Sequence, residues 1–389
     1  MHVSRICSDL VKIATENPPN HTADCIEYIR LFLDGIGMKS RVIGSSDGQD
    51  NLVTEGPARK LLLCGHVDVV PALDSGWKTP PFSGIIDDTF VYGRGSTDMK
   101  GGCAAILSAC KSVADQNGEV PATLAFVGDE ETGGRNGICH LLAKKALTPS
   151  DCIIAEPTPA RHPSIGQKGL LRVGIRFNGK PAHGSLYPAV GSSAIMESMR
   201  LLEYVKGLYA RDYPVDPSLE AILGRSFGIL AREFSLSGVE NILRRLTFNP
   251  GTIHGGEKSN VVAQRCDLEL EFRVPWGCSI ADLTADLQSN AGSENEVSVQ
   301  ETQVPTITLP ESPVVMHTCN AIRDVWGGEV FPIVQWAASD ARHLRRHGFS
   351  VLEYGPGELP LLHAIDERVR IESLEKAAAV YGQVMLQYR

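Results

Sequence analysis

Residues 1–167 alternate short apolar runs with longer amphipathic stretches. Runs such as KLLLCGHVDVV, PATLAFVGDEE and DCIIAE have the length and composition of buried strands, and GGCAAILSACKSVADQ between them has that of a helix. This strand–helix–strand order predicts an α/β domain with helices on both faces of its sheet. At 389 residues the chain is too long for one ordinary core, so a second domain is expected.

Polar side chains collect where three of these apolar runs end. His66 and Asp68 follow the first, Glu130 and Glu131 the second, and Glu156 the third. Because ligands bind at the carboxyl ends of strands in open α/β sheets, we expect a functional site there. For His66 and Asp68 alone, a core histidine paired with an acid is the commoner arrangement. A metal-bound histidine oriented by a neighbouring acid is the alternative.

The pattern changes over residues 168–303. Strand-like and helix-like segments there follow the order β-α-β-β-α-β, which predicts a small α+β domain of the ferredoxin-like type. The segment Tyr209 to Asn241 fits this plan poorly and is interpreted as a long insertion in the small domain. The α/β pattern returns over residues 304–389, so we predict a mixed-sheet α/β domain interrupted by a smaller one.

Composition excludes several classes of protein. A net charge of −9 with no long basic run argues against a nucleic-acid partner. No apolar stretch approaches the roughly 20 residues that a membrane span needs. The ten cysteines show no CxxC or other zinc-type spacing, which predicts free thiols in a reducing cytoplasm.

A glycine-rich turn, YGRGSTDMKGG, contains Asp98 just before a predicted helix. The turn matches neither standard phosphate-loop pattern, so a nucleotide site is only a minor alternative. Asp98 is equally consistent with a helix cap and with a metal ligand.

Five residues together form a plausible donor set for metals. They offer imidazole nitrogen and carboxylate oxygen without thiolate, which suits zinc, cobalt or manganese in a site that stays open to water. Five ligands are too many for one open tetrahedral site, but they suit two metals that share a carboxylate. The five are His66, Asp98, Glu131, Glu156 and His363.

In this order, GHVDVVP, GRGSTDMKGG, GDEETGG and AEPT resemble motifs of the co-catalytic zinc peptidase and deacylase family. That family includes acetylornithine deacetylase, succinyl-diaminopimelate desuccinylase, aminoacylase and glutamate carboxypeptidase. The resemblance covers essentially the whole chain. It implies a zinc-peptidase catalytic domain interrupted by a lid domain, homodimerisation through that lid, and a cis peptide between Asp98 and Met99.

The resemblance also implies roles for single residues. His66, Asp98 and Glu156 would bind one metal, and Asp98, Glu131 and His363 the other, with Asp98 as the bridge. Asp68 would orient His66, and Glu130 would be the general base. His183 would reach across the dimer to the substrate carbonyl. The substrate carboxylate would be held by Asn260, Arg273 and Arg342.

We therefore expect a cytoplasmic, metal-dependent amidohydrolase that removes an acyl group from an N-acyl amino acid. N-Succinyl-diaminopimelate is the first candidate substrate, since guanidinium groups bind carboxylates well. Acetylornithine deacetylase, another N-acyl amino acid deacylase or a dipeptidase are alternatives. A non-catalytic relative that binds a small acid is a further one, although it would have no need of Glu130.

Overall fold

The computed structural model describes residues 2–19, 21–45, 47–72, 75–237 and 241–389. Its helices are α1 Val3–Val11, α2 Ala23–Gly35, α3 Lys100–Asn117, α4 Ile138–Ala143, α5 Ala194–Leu208, α6 Pro217–Glu233, α7 Ile280–Ala291, α8 Pro313–Trp326, α9 Ala341–Arg346 and α10 Ile371–Gln387. Its strands are β1 Ser40–Gly44, β2 Asp50–Thr54, β3 Leu61–His66, β4 Phe90–Tyr92, β5 Thr123–Val127, β6 Asp151–Ile154, β7 Ser164–Gln167, β8 Gly169–Asn178, β9 Thr247–Gly255, β10 Arg265–Val274, β11 Glu296–Gln303, β12 Thr306–Ile307, β13 Ile333–Gln335, β14 Ser350–Glu353 and β15 Arg368–Arg370.

The larger sheet is mixed, as predicted. Its order is β1-β2-β5-β3-β6-β14-β7-β12, with β13 also paired to β7. The central strands β5, β3, β6 and β14 run parallel to one another, whereas β1, β2 and β12 pair antiparallel. The parallel strands are almost wholly buried, which explains why they read as continuous apolar runs in the sequence.

The smaller sheet has four antiparallel strands in the order β11-β8-β10-β9. Helix α5 connects β8 to the segment before β9, and α7 connects β10 to β11. This is the β-α-β-β-α-β unit expected from the sequence, with its first and third strands at the centre. The mixed sheet and this separate antiparallel sheet confirm the predicted fold class. The domain limits at residues 167 and 303 remain predictions.

Two apolar cores accompany the two sheets. The larger is formed by the mixed sheet with helices that include α1, α3 and α10. The smaller lies between the alternating apolar face of β8 and β10 and the inner faces of α5 and α7. Strand β8 shows why: Leu171, Val173, Ile175 and Phe177 are buried, and the residues between them are not.

The insertion was expected to belong to the lid, and its helix corrects that interpretation. Helix α6 begins at Pro217 after Asp216, whose carboxylate accepts hydrogen bonds from the amides of Ser218 and Leu219. It packs against β13, with Leu223 and Leu230 in the larger core. The apolar face of the helix therefore covers the catalytic sheet rather than the lid sheet. Residues 238–240 of the insertion lie outside the described residues.

None of the described helices is long and apolar enough to cross a membrane.

Candidate active site

The parallel strands bring three of the predicted clusters to one edge of the sheet. Strand β3 ends at His66 and lies between β5 and β6. Because the three strands are parallel, their carboxyl ends lie at the same edge of the sheet. Glu130 and Glu131 follow β5 in a single turn of 3-10 helix, and Glu156 follows β6 by two residues. Topology alone therefore explains why residues 66, 130 and 156 meet.

Asp98 reaches the same place from the glycine-rich turn. Its side chain makes no helix cap, because the first residue of α3 is Lys100 and Met99 holds the capping position. Its backbone amide and that of Thr97 donate to the buried carboxylate of Glu367, at 3.0 and 2.9 Å. The Asp98–Met99 peptide is cis, as the resemblance implied.

The Asp98 carboxylate lies between the two predicted histidines. Its Oδ1 is 3.2 Å from His66 Nε2, and its Oδ2 is 3.2 Å from His363 Nε2. Glu156 Oε1 lies 3.7 Å from the same nitrogen of His66, and Glu131 Oε2 lies 3.4 Å from that of His363. All five predicted ligands are thus arranged as two triads that share Asp98.

Asp68 contacts His66 in a way that the sequence did not predict in detail. The Nδ1 atom of His66 is 2.9 Å from the Asp68 backbone carbonyl and 3.4 Å from its carboxylate Oδ1. A proton on Nδ1 shared with these oxygens leaves Nε2 free to act as a ligand. The Asp68 carboxylate instead accepts hydrogen bonds from the amides of Glu130 and Glu131 and from Asn17 Nδ2.

The local electrostatics favour positive charge between the triads. Burial raises the pKa of Glu130 and Glu156 well above the usual range, and that of Glu131 above its ordinary value. Hydrogen bonds to Asp98 and Glu131 raise the pKa of His363 to about 10. Crowded acids of this kind are costly unless cations neutralise them.

The donor set fits a pair of divalent metal ions. Each triad offers one imidazole nitrogen and two carboxylates within reach of a common centre. Glu131 Oε1 is buried and has no hydrogen-bond partner among the described residues, which leaves a lone pair directed into the site.

Comparison with known proteins supports the family that the sequence motifs resemble. Residues 62–387 match the model of Peptidase family M20/M25/M40. The chain belongs to this family. It is 27% identical to a probable succinyl-diaminopimelate desuccinylase of Staphylococcus aureus, over 99% of this chain and 97% of that protein. It is 28% identical to an acetylornithine deacetylase of Vibrio parahaemolyticus, over 94% of this chain and 92% of that protein.

Among solved structures, the M20 metallo-carboxypeptidase Sso-CP2 of Sulfolobus solfataricus superposes with a TM-score of 0.81. The sequence identity is 20%, and the match covers 100% of this chain and 99% of that one. M20 membership makes this chain a metal-dependent amide hydrolase and confirms the resemblance seen in its motifs.

A cavity of about 450 Å³ opens over the M20 triads. Besides four of the five ligands and Glu130, it is lined by Arg342 and by Arg273 of the lid sheet. Arg342 is buried, its Nη1 donates to the Ser339 carbonyl, and its Nε has no partner among the described residues. Arg273 pairs with Glu271 at 2.7 Å. Two of the three predicted carboxylate-binding residues therefore face the cavity.

His183 and Asn260 lie elsewhere. Neither is among the residues that line this cavity in the described part of the chain. They are neighbours on the lid, where the Gly184 amide donates to the Asn260 carbonyl at 2.8 Å, and His183 is exposed. Within one chain the structure does not bring them to the metal triads.

Two sets of residues that hold the site in place were not predicted from the sequence. Asn17 Nδ2 donates to Asp68 and to Asp129 and so ties the N-terminal loop to two strand ends. Arg94 pairs with Glu367 at 2.6 Å, with both side chains buried, and also donates to the carbonyls of Ala364 and His363. Arg94 lies in the glycine-rich turn already noted, but only the fold shows that it faces Glu367.

The glycine pair in the first turn of α3 serves packing. A Cβ on Gly102 would lie 2.2 Å from the carbonyl oxygen of Ala155, the residue before Glu156. Position 102 of α3 must therefore be glycine for the helix to approach the Glu156 loop. This close approach accounts for the glycine pair without a bound phosphate.

Proposed function

We propose that this protein hydrolyses the amide bond of an N-acyl amino acid that carries more than one carboxylate, with N-succinyl-diaminopimelate as the preferred substrate. The observation that carries the proposal is one cavity that holds two metal-ligand triads, a buried glutamate and two arginines. The triads suit the reacting amide, and the arginines suit anionic groups on either side of it.

His66, Asp98 and Glu156 would hold one metal, and Asp98, Glu131 and His363 the other, with zinc the first candidate and cobalt or manganese the alternatives. When bound, such a pair supplies Lewis acidity that polarises a carbonyl and makes a water more acidic. The chain's own residues orient the reactants and move the protons.

Glu130 is proposed as the general base. Its carboxylate lines the cavity, and it is not a member of either triad. Burial raises its pKa well above the usual range, which makes it a stronger proton acceptor than an exposed glutamate. We propose that Glu130 takes a proton from the attacking water and returns it to the departing amine. Its backbone amide donates to the Asp68 carboxylate, which anchors the turn that carries it.

The two arginines favour a substrate with two anionic ends. Arg342 has an unpartnered Nε on the catalytic side, and Arg273 projects from the lid strand β10. A succinyl group adds a carboxylate that an acetyl group lacks, so N-succinyl-diaminopimelate can engage both. N-Acetylornithine offers one carboxylate and leaves one guanidinium unmatched.

We propose that a homodimer completes the site. The lid presents the exposed edge strand β9 and exposed apolar side chains around His183 and on α5, which suit a self-complementary interface. These side chains are Leu186, Tyr187, Val190, Met196, Met199, Ile253 and Val261. Such pairing would carry His183 and Asn260 to the partner's cavity, where His183 would donate to the carbonyl oxygen.

All ten cysteines are free, in keeping with a reducing cytoplasm, where we place the protein.

The test is amine release from N-succinyl-diaminopimelate, N-acetylornithine and a set of dipeptides, each with metal-loaded and chelator-treated protein. We expect metal-dependent release, fastest from the succinylated substrate. Faster release from N-acetylornithine would overturn the substrate assignment but leave the hydrolase standing. No release from any member by protein with both metals bound would overturn the proposed function.

A further inference from the structure

A second concave site lies away from the metal triads, at the seam between α6 of the insertion and the catalytic domain. It is a cleft of about 370 Å³. One wall is α6, and the others are the loop after Glu156 and the loop before β13. The residues that line it are Arg161, His162, Arg225, Gly228, Ile229, Arg232, Glu329 and Phe331.

The cleft is basic although the chain is acidic. It contains three arginines and one glutamate, in a protein with a net charge of −9. Arg225 and Arg232 are seven residues apart on α6, so they project from the same face of the helix. Glycine at position 228, between them on that face, keeps the space open. Arg161 meets them from the opposite wall.

One of the three arginines is already neutralised. Arg225 forms an ion pair with Glu329, and its guanidinium lies 4.2 Å over the ring of Phe331. Arg161 and Arg232 form no ion pair with any carboxylate in the described ranges of the chain. Arg161 lies against the loop before β13, where a Cβ on Gly328 would be 2.7 Å from its Nη1.

Both unpaired charges act on His162. This imidazole is half-buried, and its Nδ1 lies 3.2 Å from the Phe331 carbonyl. Burial lowers the pKa of His162, and the charges of Arg161 and Arg232 lower it further. Both guanidinium groups line the same cleft as this imidazole, although they come from separate segments of the chain.

Exposed arginines are usually just solvated, and each of these alone would carry no argument. The two together differ from a single solvated arginine, because both unpaired charges line one cleft that also contains an imidazole. Like charges held together destabilise the fold unless a counter-charge binds. Guanidinium groups bind phosphate and carboxylate oxygens in a bidentate manner.

We propose that this cleft is a binding site for a compact anion with two or more negative charges, such as a phosphate or a polycarboxylate. The anion would join Arg161 to Arg232 and so tie the insertion helix to the loop that leads from Glu156. Four residues separate Glu156 from Arg161 along this loop. The site goes beyond the proposed hydrolysis and does not depend on it.

The experiment follows the His162 ring by NMR in protein labelled with ¹³C at histidine Cε1, with the signal assigned through His162→Asn. Inorganic phosphate and citrate are titrated separately at constant ionic strength, with sodium chloride as the reference salt. A signal from His162 reports this cleft alone, so phosphate that binds at the metal triads or at Arg342 does not confuse the result.

We expect a saturable shift of the His162 signal with phosphate or citrate. The Arg161→Gln and Arg232→Gln substitutions should each weaken it about tenfold or more, the effect of losing one charge-assisted hydrogen bond. Neither side chain pairs with a described residue, so both variants should fold. Arg5→Gln, which removes an exposed arginine of α1 paired with Asp9, is the matched control and should leave the shift unchanged.

Saturation by phosphate alone would identify a phosphate-type ligand, and saturation by citrate alone a polycarboxylate. Either result supports the site. A His162 signal that does not move, or that moves equally with chloride, would overturn the proposal. So would a shift of undiminished affinity in both Arg161→Gln and Arg232→Gln.

Discussion

The carboxylate of Asp68 accepts a hydrogen bond from the backbone amide of Glu130, at 3.2 Å, while its backbone carbonyl lies 2.9 Å from His66 Nδ1. One buried aspartate thus contacts the ring proposed to bind a metal and the turn that carries the proposed base. Its other oxygen accepts from the amide of Glu131, the next ligand in the chain. Three residues with proposed roles therefore contact the same aspartate.

We predict that Asp68→Asn lowers both metal affinity and kcat. An asparagine side chain presents one NH₂ group where the carboxylate accepts only, so at least one amide of the Glu130–Glu131 turn loses its partner. Supporting residues of metal ligands typically contribute 10–100-fold to metal affinity or activity, and we expect a loss of about that size. Competition with a chromophoric chelator measures the affinity. Asp34→Asn, on the exposed face of α2, is the control; an Asp68→Asn variant with normal kcat and metal affinity would contradict this role.

The proposed dimer makes a prediction about mixed subunits. Glu130→Gln and His183→Ala should each abolish nearly all turnover while both metals stay bound. If His183 acts on the partner's cavity, a mixed dimer has one site with both residues intact, and random mixing should restore about one quarter of wild-type activity. The measurement is the rate of amine release after the two variants are mixed and allowed to exchange subunits. Activity that stays at the level of the separate variants would argue that His183 does not act across the dimer.

Arg94 and Glu367 should matter for stability as well as for the position of Asp98. In Glu367→Gln the amide oxygen can still accept from Thr97 and Asp98, but its NH₂ group then faces the Arg94 guanidinium, which can only donate. Leaving a buried charge unpaired costs about 3–5 kcal/mol. Urea denaturation should show that loss in the free energy of unfolding. Asp115→Asn breaks an exposed pair with Lys111 and should be neutral; equal effects of the two substitutions would refute the argument.

His343 predicts a pH dependence of stability. Burial, with a further contribution from Arg342, lowers its pKa from 6.5 to about 4. Between these values the unfolded chain binds a proton that the folded chain does not, so stability falls as pH drops below 6.5. The loss from this group between pH 7 and pH 5 should be about 1–2 kcal/mol.

A His343→Gln variant should lose that part of the decrease in stability with falling pH. The quantity to compare is the change in unfolding free energy between pH 7 and pH 5 in the variant and in the wild type, both metal-free. Identical slopes would mean that His343 is not the group that titrates.

The sequence predicted the centre of the site better than its surroundings. His66, Glu131 and Glu156 could be predicted as site residues because each stands at or just after the end of an apolar strand. The carboxyl ends of parallel strands lie together at one edge of the sheet. His363 joined this set as an imidazole that suits a metal, whereas the bridging role of Asp98 came from the family resemblance. Asn17, Arg94 and Glu367 could not be identified, because each acts through a partner 51 or more residues away and only the folded chain brings the two together.

The packing of the insertion, too, could not be predicted from the sequence. Its composition predicted neither α6 nor the surface that α6 covers. The apolar face of an amphipathic helix indicates that something is buried, but not which core receives it. Here a backbone hydrogen bond from Val334 to Ser226 Oγ, at 3.0 Å, and the contact of Phe234 with Trp336 fix α6 beside β13.

Asp98 is proposed to join two metal triads in one active site. The most direct test is the number of zinc ions bound per chain after saturation and dialysis, measured by mass spectrometry of the metal, for wild type and for Asp98→Ala. We predict two per chain in the wild type and weakened binding at both positions in the variant, because each triad loses the same carboxylate. A wild-type protein that holds only one ion, or an Asp98→Ala variant that still holds two tightly, would contradict the account.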